Sequence, residues 1–212
     1  MWHLEKEIKE IQEKLNFYPP EENLKKFIDY LEYLLEYNKK INLTSFKSLK
    51  DLLKFQAFDF YPLLNLSLKE YCFDVGAGAG FLTVPLSIFL DKKVFALEPN
   101  RKRAFFLNMV KFKLNLNFEI IERRLEESLD VLPEEGGDFL IKALPKKEKI
   151  LKILSKRAKF PHRLVYFAGK NYEDIKKDLK ICYSFKEMIK SPLRDSSFIL
   201  IFENVSCETW EG

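Results

Sequence analysis

Three glycines on alternate positions, Gly76, Gly78 and Gly80, constrain what this chain can fold into more than any other feature. They follow a short apolar run carrying Cys72, Phe73 and Val75, and they precede an apolar-rich segment from Phe81 to Leu90. The pattern reads as strand, tight turn, helix, with the helix running from Gly80. Glycine lets such a turn take positive φ and lets a ligand approach bare backbone. A helix start then offers unpaired N–H groups and a positive dipole end to a polar or anionic ligand.

The spacing narrows the ligand. The dinucleotide fingerprint is G-x-G-x-x-G, whereas this turn is G-x-G-x-G with Asp74 two residues ahead of it. No Walker lysine follows, which argues against a nucleotide triphosphate cradle. A second strand, Lys93-Val-Phe-Ala-Leu-Glu98, ends in a carboxylate 18 residues after Gly80. An acid at that tip suits a ribose diol, because each carboxylate oxygen accepts from one hydroxyl. An adenosyl ligand without a diphosphate satisfies both features, and S-adenosylmethionine is the cofactor we expect. The plainer alternative, a glycine-rich turn that binds nothing, does not account for Glu98.

Composition bounds the rest. The 212 residues, 47% of them hydrophobic, suffice for a full core in one large domain or one domain with an appendage. No window of 18 uninterrupted apolar residues occurs, and the charged start Met1-Trp-His-Leu-Glu-Lys-Glu is unlike a signal peptide. Cys72, Cys182 and Cys207 are scattered, and no Cys/His spacing resembles a zinc site. These features point to a protein of the cytoplasm with no membrane partner and no metal. The net charge of +4 is unevenly spread: Lys142 to Arg163 holds nine basic residues against Glu148, and Lys39 to Lys54 holds five lysines against Asp51. Such clusters suit phosphate backbones, or they are simply solvated faces of a lysine- and glutamate-rich chain.

Along the chain, Leu4, Ile8, Ile11 and Leu15 mark a first helix, stopped by Pro19-Pro20. Glu21 to Tyr37 reads as a second helix, and Leu49 to Tyr61 as a third. From Tyr71 the pattern alternates. Asn100 caps a helix from Arg101 to Leu114 that is expected to bury Phe105, Phe106, Met109 and Val110. Phe118–Ile121, Asp138–Lys142 and Arg163–Ala168 are strands; a short helix over Leu125–Leu132 and a basic helix from Pro145 to about Lys159 lie between them. A helix over Asn171–Leu179 precedes two final strands, Ile181–Phe185 and Phe198–Phe202, which have no helix between them and so form an antiparallel hairpin at the sheet edge. The expected class is α/β: a Rossmann-like, seven-stranded, mostly parallel sheet with an antiparallel last strand. Residues 1–65 form an N-terminal helical region packed on a cofactor-binding domain of residues 66–212.

Strand, G-x-G-x-G, acidic strand tip and terminal hairpin together resemble class I S-adenosylmethionine methyltransferases. The segment Tyr37-Asn-Lys-Lys-Ile-Asn-Leu-Thr44 ahead of Phe73-Asp-Val-Gly-Ala-Gly-Ala-Gly-Phe81 resembles more narrowly the 16S ribosomal RNA guanine-N7 methyltransferases, also called glucose-inhibited division protein B. The resemblance runs from about Glu21 to Phe202. It implies that Gly76 and Phe81 border the methionine end of the cofactor, with Gly78 and Gly80 shaping the turn. It also implies that Glu98 holds the ribose and that Leu125 and Glu126 lie by the adenine. Lys142 stands nearest the place where the family has an arginine after strand four, with one residue fewer before it. Gln56 stands where the family has a histidine, Asp59 is retained, and Ala168-Gly169-Lys170 replaces the family's Leu-Lys-Gly.

The implied reaction is methylation of guanine N7 in 16S ribosomal RNA, or in the small ribosomal subunit, by a monomer. N7 carries an in-plane lone pair and no proton, so no catalytic base is required, and neither His3 nor His162 is assigned a role. Alignment of the reacting atoms carries the rate, and the target base must be displayed in a loop to reach the pocket. Lys39, Lys40, Arg123, Arg124 and Lys170 are the candidates for gripping RNA. Two alternatives stay open on the residues alone: a methyltransferase of this fold acting on another substrate, and a non-catalytic RNA-binding protein on a degenerate methyltransferase fold.

Overall fold

The computed structural model describes residues 4–143, 150–154, 161–179 and 183–204. Two helices open the chain, α1 (Glu5–Leu15) and α2 (Glu21–Asn38). Asn16 ends α1 in the left-handed conformation, φ 49°, which asparagine tolerates better than most residues. The third helix expected over Leu49–Tyr61 divides. One α turn, α3 (Leu49–Leu52), passes into a π turn (Leu53–Ala57) and then a 3-10 segment (Tyr61–Asn65). The wider turn leaves Leu52, Leu53, Ala57 and Phe58 all buried.

The sheet holds β1 (Tyr71–Val75), β2 (Lys93–Leu97), β3 (Phe118–Ile121), β4 (Gly137–Lys142), β5 (His162–Ala168), β6 (Tyr183–Lys190) and β7 (Phe198–Asn204). Their order is β3-β2-β1-β4-β5-β7-β6, with β7 antiparallel to both its neighbours and every other pairing parallel. This is the sheet the sequence pattern predicts, with the hairpin at the edge. Period-two alternation sends each strand's side chains into two separate cores. Cys72, Val94, Ala96, Leu140, Val165, Ile199 and Ile201 enter one; Phe73, Phe95, Leu97, Phe139, Ile141, Leu164, Tyr166, Leu200 and Phe202 enter the other. The hairpin is longer than expected because β6 is an edge strand, largely exposed from Phe185 to Met188, so its apolar pattern is weak.

The first core also contains the N-terminal helices. Phe27 of α2 lies edge-on to Phe58, Phe60 and Phe89 at 5.4–5.6 Å, and Phe60 stacks on Phe89 at 5.3 Å. Asn23 donates to the Ile88 carbonyl, and the buried Tyr30 hydroxyl donates to the Ala79 carbonyl at 2.8 Å. The glycine turn is thus propped from beneath by α2.

The crossover helices are α4 (Thr83–Phe89) and α5 (Arg101–Leu114). Asn100 caps α5 as expected, accepting from Lys102 and Arg103 N–H. The buried stripe of α5 is Ala104, Phe106, Leu107, Val110 and Leu114; Phe105 and Met109 point away from it and are exposed, against expectation. The short helix expected over Leu125–Leu132 is only a 3-10 turn, Leu125–Glu127. A last helix spans Tyr172–Leu179. Residues 150–154 are helical; the rest of the basic helix expected from Pro145, with His3, Cys182 and Cys207, lies outside the described residues. Among the described residues no helix is long and apolar enough to cross a membrane.

Candidate active site

Asp74, buried near the end of β1, decides where the next helix starts. Its carboxylate accepts from the Thr83 hydroxyl at 2.7 Å and from the Thr83 N–H at 3.1 Å. The helix therefore begins at Thr83, three residues later than the glycine pattern suggests, and its first amide is already occupied. The seven residues between β1 and α4, from Gly76 to Leu82, form the turn. Gly76, Gly78 and Gly80 take φ of 73°, 60° and 86°, all in the region that other residues enter at a cost.

The turn's amides are largely used within the protein. Gly76 and Ala77 N–H donate to the Leu97 carbonyl, and Gly80 N–H to the Ala77 carbonyl. Gly78 N–H donates to Glu98 Oε2 at 2.8 Å, while Glu98 Oε1 accepts from Asn100 N–H at 2.8 Å. Glu98 is buried. Each of its oxygens holds one backbone amide and keeps lone-pair capacity for another donor, so the carboxylate staples the ends of β1 and β2 together.

A cavity of about 170 Å³ opens over this turn. Asp74 comes to it from β1, Gly76, Gly78 and Phe81 from the turn, and Lys142 and Ala143 from the end of β4 and the residue after it. Gly80, Glu98, Leu125 and Glu126 do not reach its wall. Leu125 is buried in the second core and Glu126 is partly buried, both just past the end of β3. A Cβ built on Gly78 would meet nothing nearer than the Gly76 carbonyl oxygen at 3.7 Å. The backbone there faces open space, which fits a ligand lying against it. A Cβ on Gly80 would instead press on Leu107 and Val84 at 2.7 and 3.0 Å. Gly80 thus serves packing, and Gly78 borders the cavity.

Three further residues on the cavity wall carry no binding assignment from the sequence: Leu43, Gln56 and Arg103. Leu43 is placed by Asn38, whose buried side chain accepts from Leu43 and Thr44 N–H and donates to the Thr44 and Phe46 carbonyls. That bonding folds the Asn-Leu-Thr segment into a fixed loop. The segment and Gln56 are visible in the family pattern; Arg103, an exposed residue one turn into α5, gives no signal in the sequence.

Lys142 is the charged centre of the site. Its Nζ is enclosed although the side chain as a whole is 19% exposed. Nζ lies 2.6 Å from Asp59 Oδ2 at an angle that makes no hydrogen bond, and 5.5 Å from the centre of the Phe81 ring. Asp59 is also gripped by Arg194 from the β6–β7 loop. Burial outweighs the attraction of Asp74 and brings the Lys142 pKa down to about 8. Burial likewise lifts Asp74 to about 6, against the hydrogen bonds from Thr83 that favour its charged form. Ala143, next in the chain, has φ 50°, a strained conformation for alanine beside a candidate site.

The other expected RNA contacts, Lys39, Lys40, Arg123, Arg124 and Lys170, are all exposed. Arg123 and Arg124 follow β3 and Lys170 follows β5, on the sheet edge that carries the glycine turn. Arg163, counted in the basic run, is structural. It binds Asp138 through two bonds of 2.7 Å and the Ser67 carbonyl at 2.8 Å. His162 is buried, with its Nε2 2.8 Å from the Tyr183 hydroxyl.

The fold is similar to that of a SAM-dependent methyltransferase from Aquifex aeolicus (TM-score 0.58, 21% identity, 81% of this chain and 98% of that one). It is also similar to M. jannaschii TYW2 in complex with AdoMet (TM-score 0.52, 17% identity, 71% and 77%). In sequence, the chain is 35% identical over 186 residues to ribosomal RNA small subunit methyltransferase G of Aquifex aeolicus, covering 82% of this chain and 91% of that protein. It is 33% identical over 165 residues to the enzyme of the same name from Aster yellows witches'-broom phytoplasma, covering 71% and 73%. The family model for rRNA small subunit methyltransferase G matches residues 23–196. The turn, the Asn-Leu-Thr loop and Lys142 all fall inside that span, and the chain belongs to the GidB family of ribosomal RNA small subunit methyltransferases.

Proposed function

We propose that this protein transfers a methyl group from S-adenosylmethionine to N7 of a guanine in 16S ribosomal RNA. The observation that carries the reading is the cavity over the glycine turn, walled by Gly78 and by the Lys142 side chain, whose ammonium is enclosed behind the wall, in a chain of this family. When bound, S-adenosylmethionine supplies an electrophilic methyl on a sulfonium. In this reading Gly76, Gly78, Phe81 and Lys142 take its methionine end, with Lys142 facing the carboxylate as a point charge. Glu98 offers its remaining lone pairs to the ribose, and Leu125 and Glu126 border the adenine.

Guanine N7 has no proton to lose, so the chain's residues align rather than abstract. Asp74 fixes the start of α4, Glu98 fixes the turn, and Tyr30 supports it from α2. Three groups from separate parts of the chain, Asp59, Lys142 and Arg194, meet behind the cavity, and of them Lys142 lines its wall. They hold the N-terminal region, β4 and the β6–β7 loop in register, so the donor wall is set before substrate arrives. We read residues 1–65 as a helical region that completes the site of a catalytic domain spanning 66–212, supported by the Leu43 and Gln56 walls of the cavity. The protein acts as a monomer in the cytoplasm, on RNA displayed by the small ribosomal subunit, with Lys39, Lys40, Arg123, Arg124 and Lys170 on phosphates. Lys170→Ala and Arg124→Ala should raise the KM for subunits while leaving S-adenosylhomocysteine affinity unchanged, and the KM should rise with salt. Equal loss of both affinities would refute the assignment of these side chains to RNA.

A further inference from the structure

A second cavity, of about 510 Å³, opens between α1, the π turn and the β6–β7 loop. Its wall carries five basic side chains against two acidic ones. Glu7 is taken by Lys50 at 2.8 Å, and Glu10 faces Lys6 at 3.9 Å. Lys14 and Lys54 are left with no carboxylate in ion-pair range among the described residues. The apolar part of the wall includes Ile11, Leu193 and Phe55. Phe55 is 41% exposed, an unusual position for phenylalanine beside so many charges. Its ring is stacked on Phe46, 6.1 Å away and 9° from parallel, and Lys54 Nζ sits 5.1 Å from its centre. A rigid aromatic platform with mobile cations beside it is how proteins hold single-stranded nucleic acid: the ring takes a base and the cations take phosphates.

The cavity adjoins the active site. Phe55 lines the second cavity, and Gln56, the next residue, lines the first. Arg194 lines the second and grips Asp59, which faces Lys142 of the first. The α1 wall, with Ile11 and Lys14, lies before residue 23, where the match to the family model begins.

We propose that this second cavity binds a nucleotide of single-stranded RNA flanking the methylated guanosine, its base on Phe55 and its phosphates on Lys14 and Lys54. The proposal rests on the RNA methyltransferase reading above and supplies the substrate subsite that reading lacks. Lys54, on its flexible stem, leaves the ring for a phosphate when a base takes its place.

The test uses the full chain and a fluorescent single-stranded oligoribonucleotide of about ten nucleotides, followed by anisotropy. Phe55→Ala should weaken binding at least about 5-fold, the lower end for loss of one base–aromatic stack. Phe55→Trp should keep the affinity and add an emission that RNA quenches, which guards against a simple folding defect. The paired variant Lys14→Gln and Lys54→Gln should flatten the dependence of log affinity on log salt by about 1.4, roughly 0.7 for each phosphate no longer neutralised. S-adenosylhomocysteine affinity should not move in any of them. Unchanged RNA affinity in Phe55→Ala together with an unchanged salt slope would overturn the proposal, as would tighter binding of a glutamate-rich peptide than of RNA. If wild type methylates small subunits and these shifts are absent, the subsite alone falls. If the shifts appear and subunits accept no methyl group, the fault lies with the methyltransferase reading.

Discussion

Gly78→Ala and Gly80→Ala should fail in different ways, although the two glycines are two residues apart and both have positive φ. At Gly80 the φ of 86° costs alanine about 1–2 kcal/mol. The added methyl would also lie 2.7 Å from Leu107 Cδ2 and 3.0 Å from Val84 Cγ2. Both neighbours are fully buried, so making room for the methyl adds about 1–3 kcal/mol. The loss is then roughly 2–5 kcal/mol, or about 4–20 °C in melting temperature for a chain of this length. At Gly78 only the φ cost applies, about 1–2 kcal/mol, because the nearest atom to the methyl is 3.7 Å away. The methyl would instead occupy the open space of the cavity. Urea unfolding without ligand should rank Gly80→Ala well below Gly78→Ala. Calorimetry with S-adenosylhomocysteine under native conditions should reverse the order, with Gly78→Ala losing at least about tenfold. Equal stabilities, or full ligand affinity in Gly78→Ala, would refute the division of one glycine to packing and the other to the ligand.

Other substitutions probe the same site. Lys142 has a folded pKa of about 8 against 10.5 in the open chain, so between those values the unfolded state holds a proton that the folded state has shed. Stability should therefore rise with pH across that window, by at most roughly 3 kcal/mol, and Lys142→Met should remove the rise. S-adenosylhomocysteine affinity should fall as pH climbs through about 8, and Lys142→Arg, which stays charged, should flatten that fall; a flat wild-type profile would detach Lys142 from the cofactor carboxylate. Tyr30→Phe leaves the buried Ala79 carbonyl without its donor, and urea titration should show a loss of about 1–3 kcal/mol, with no loss if the carbonyl finds water. Asp138→Ala strands the Arg163 guanidinium, bound at 2.7 Å through two nitrogens, and should cost about 3–5 kcal/mol; an unchanged thermal melt would show that the pair is not structural.

The parts of the fold that the sequence made legible are those where one physical rule acts alone. Continuous apolar runs announced β1, β2 and β4 because both faces of those strands are buried. Asn100 announced the start of α5 because its side chain has no competing role. The rules failed where two competed. Glycines 76 to 80 signal a helix start, but Asp74 holds the Thr83 hydroxyl and amide and so delays α4. Helical spacing from Leu49 runs unbroken on paper, yet the chain widens into a π turn and exposes Phe55 beside Gln56. The glycine turn and Glu98 were readable as a site. The Asp59–Lys142–Arg194 meeting was not, because the residues are separated by 83 and 52 positions and only tertiary packing joins them.

The central claim is that the methyl group goes to N7 of a guanine in 16S ribosomal RNA. Small ribosomal subunits lacking native N7 methylation are incubated with the protein and methyl-labelled S-adenosylmethionine, and the RNA is separated from protein. A guanine methylated at N7 carries a fixed positive charge, so borohydride delivers hydride to C8 of its imidazolium ring, the reduced base is lost, and aniline cleaves the strand at the bare sugar. Label in the RNA at a single guanine that becomes the site of cleavage is the predicted result. Label in ribosomal protein, or at a nucleotide that resists cleavage, would contradict the claim.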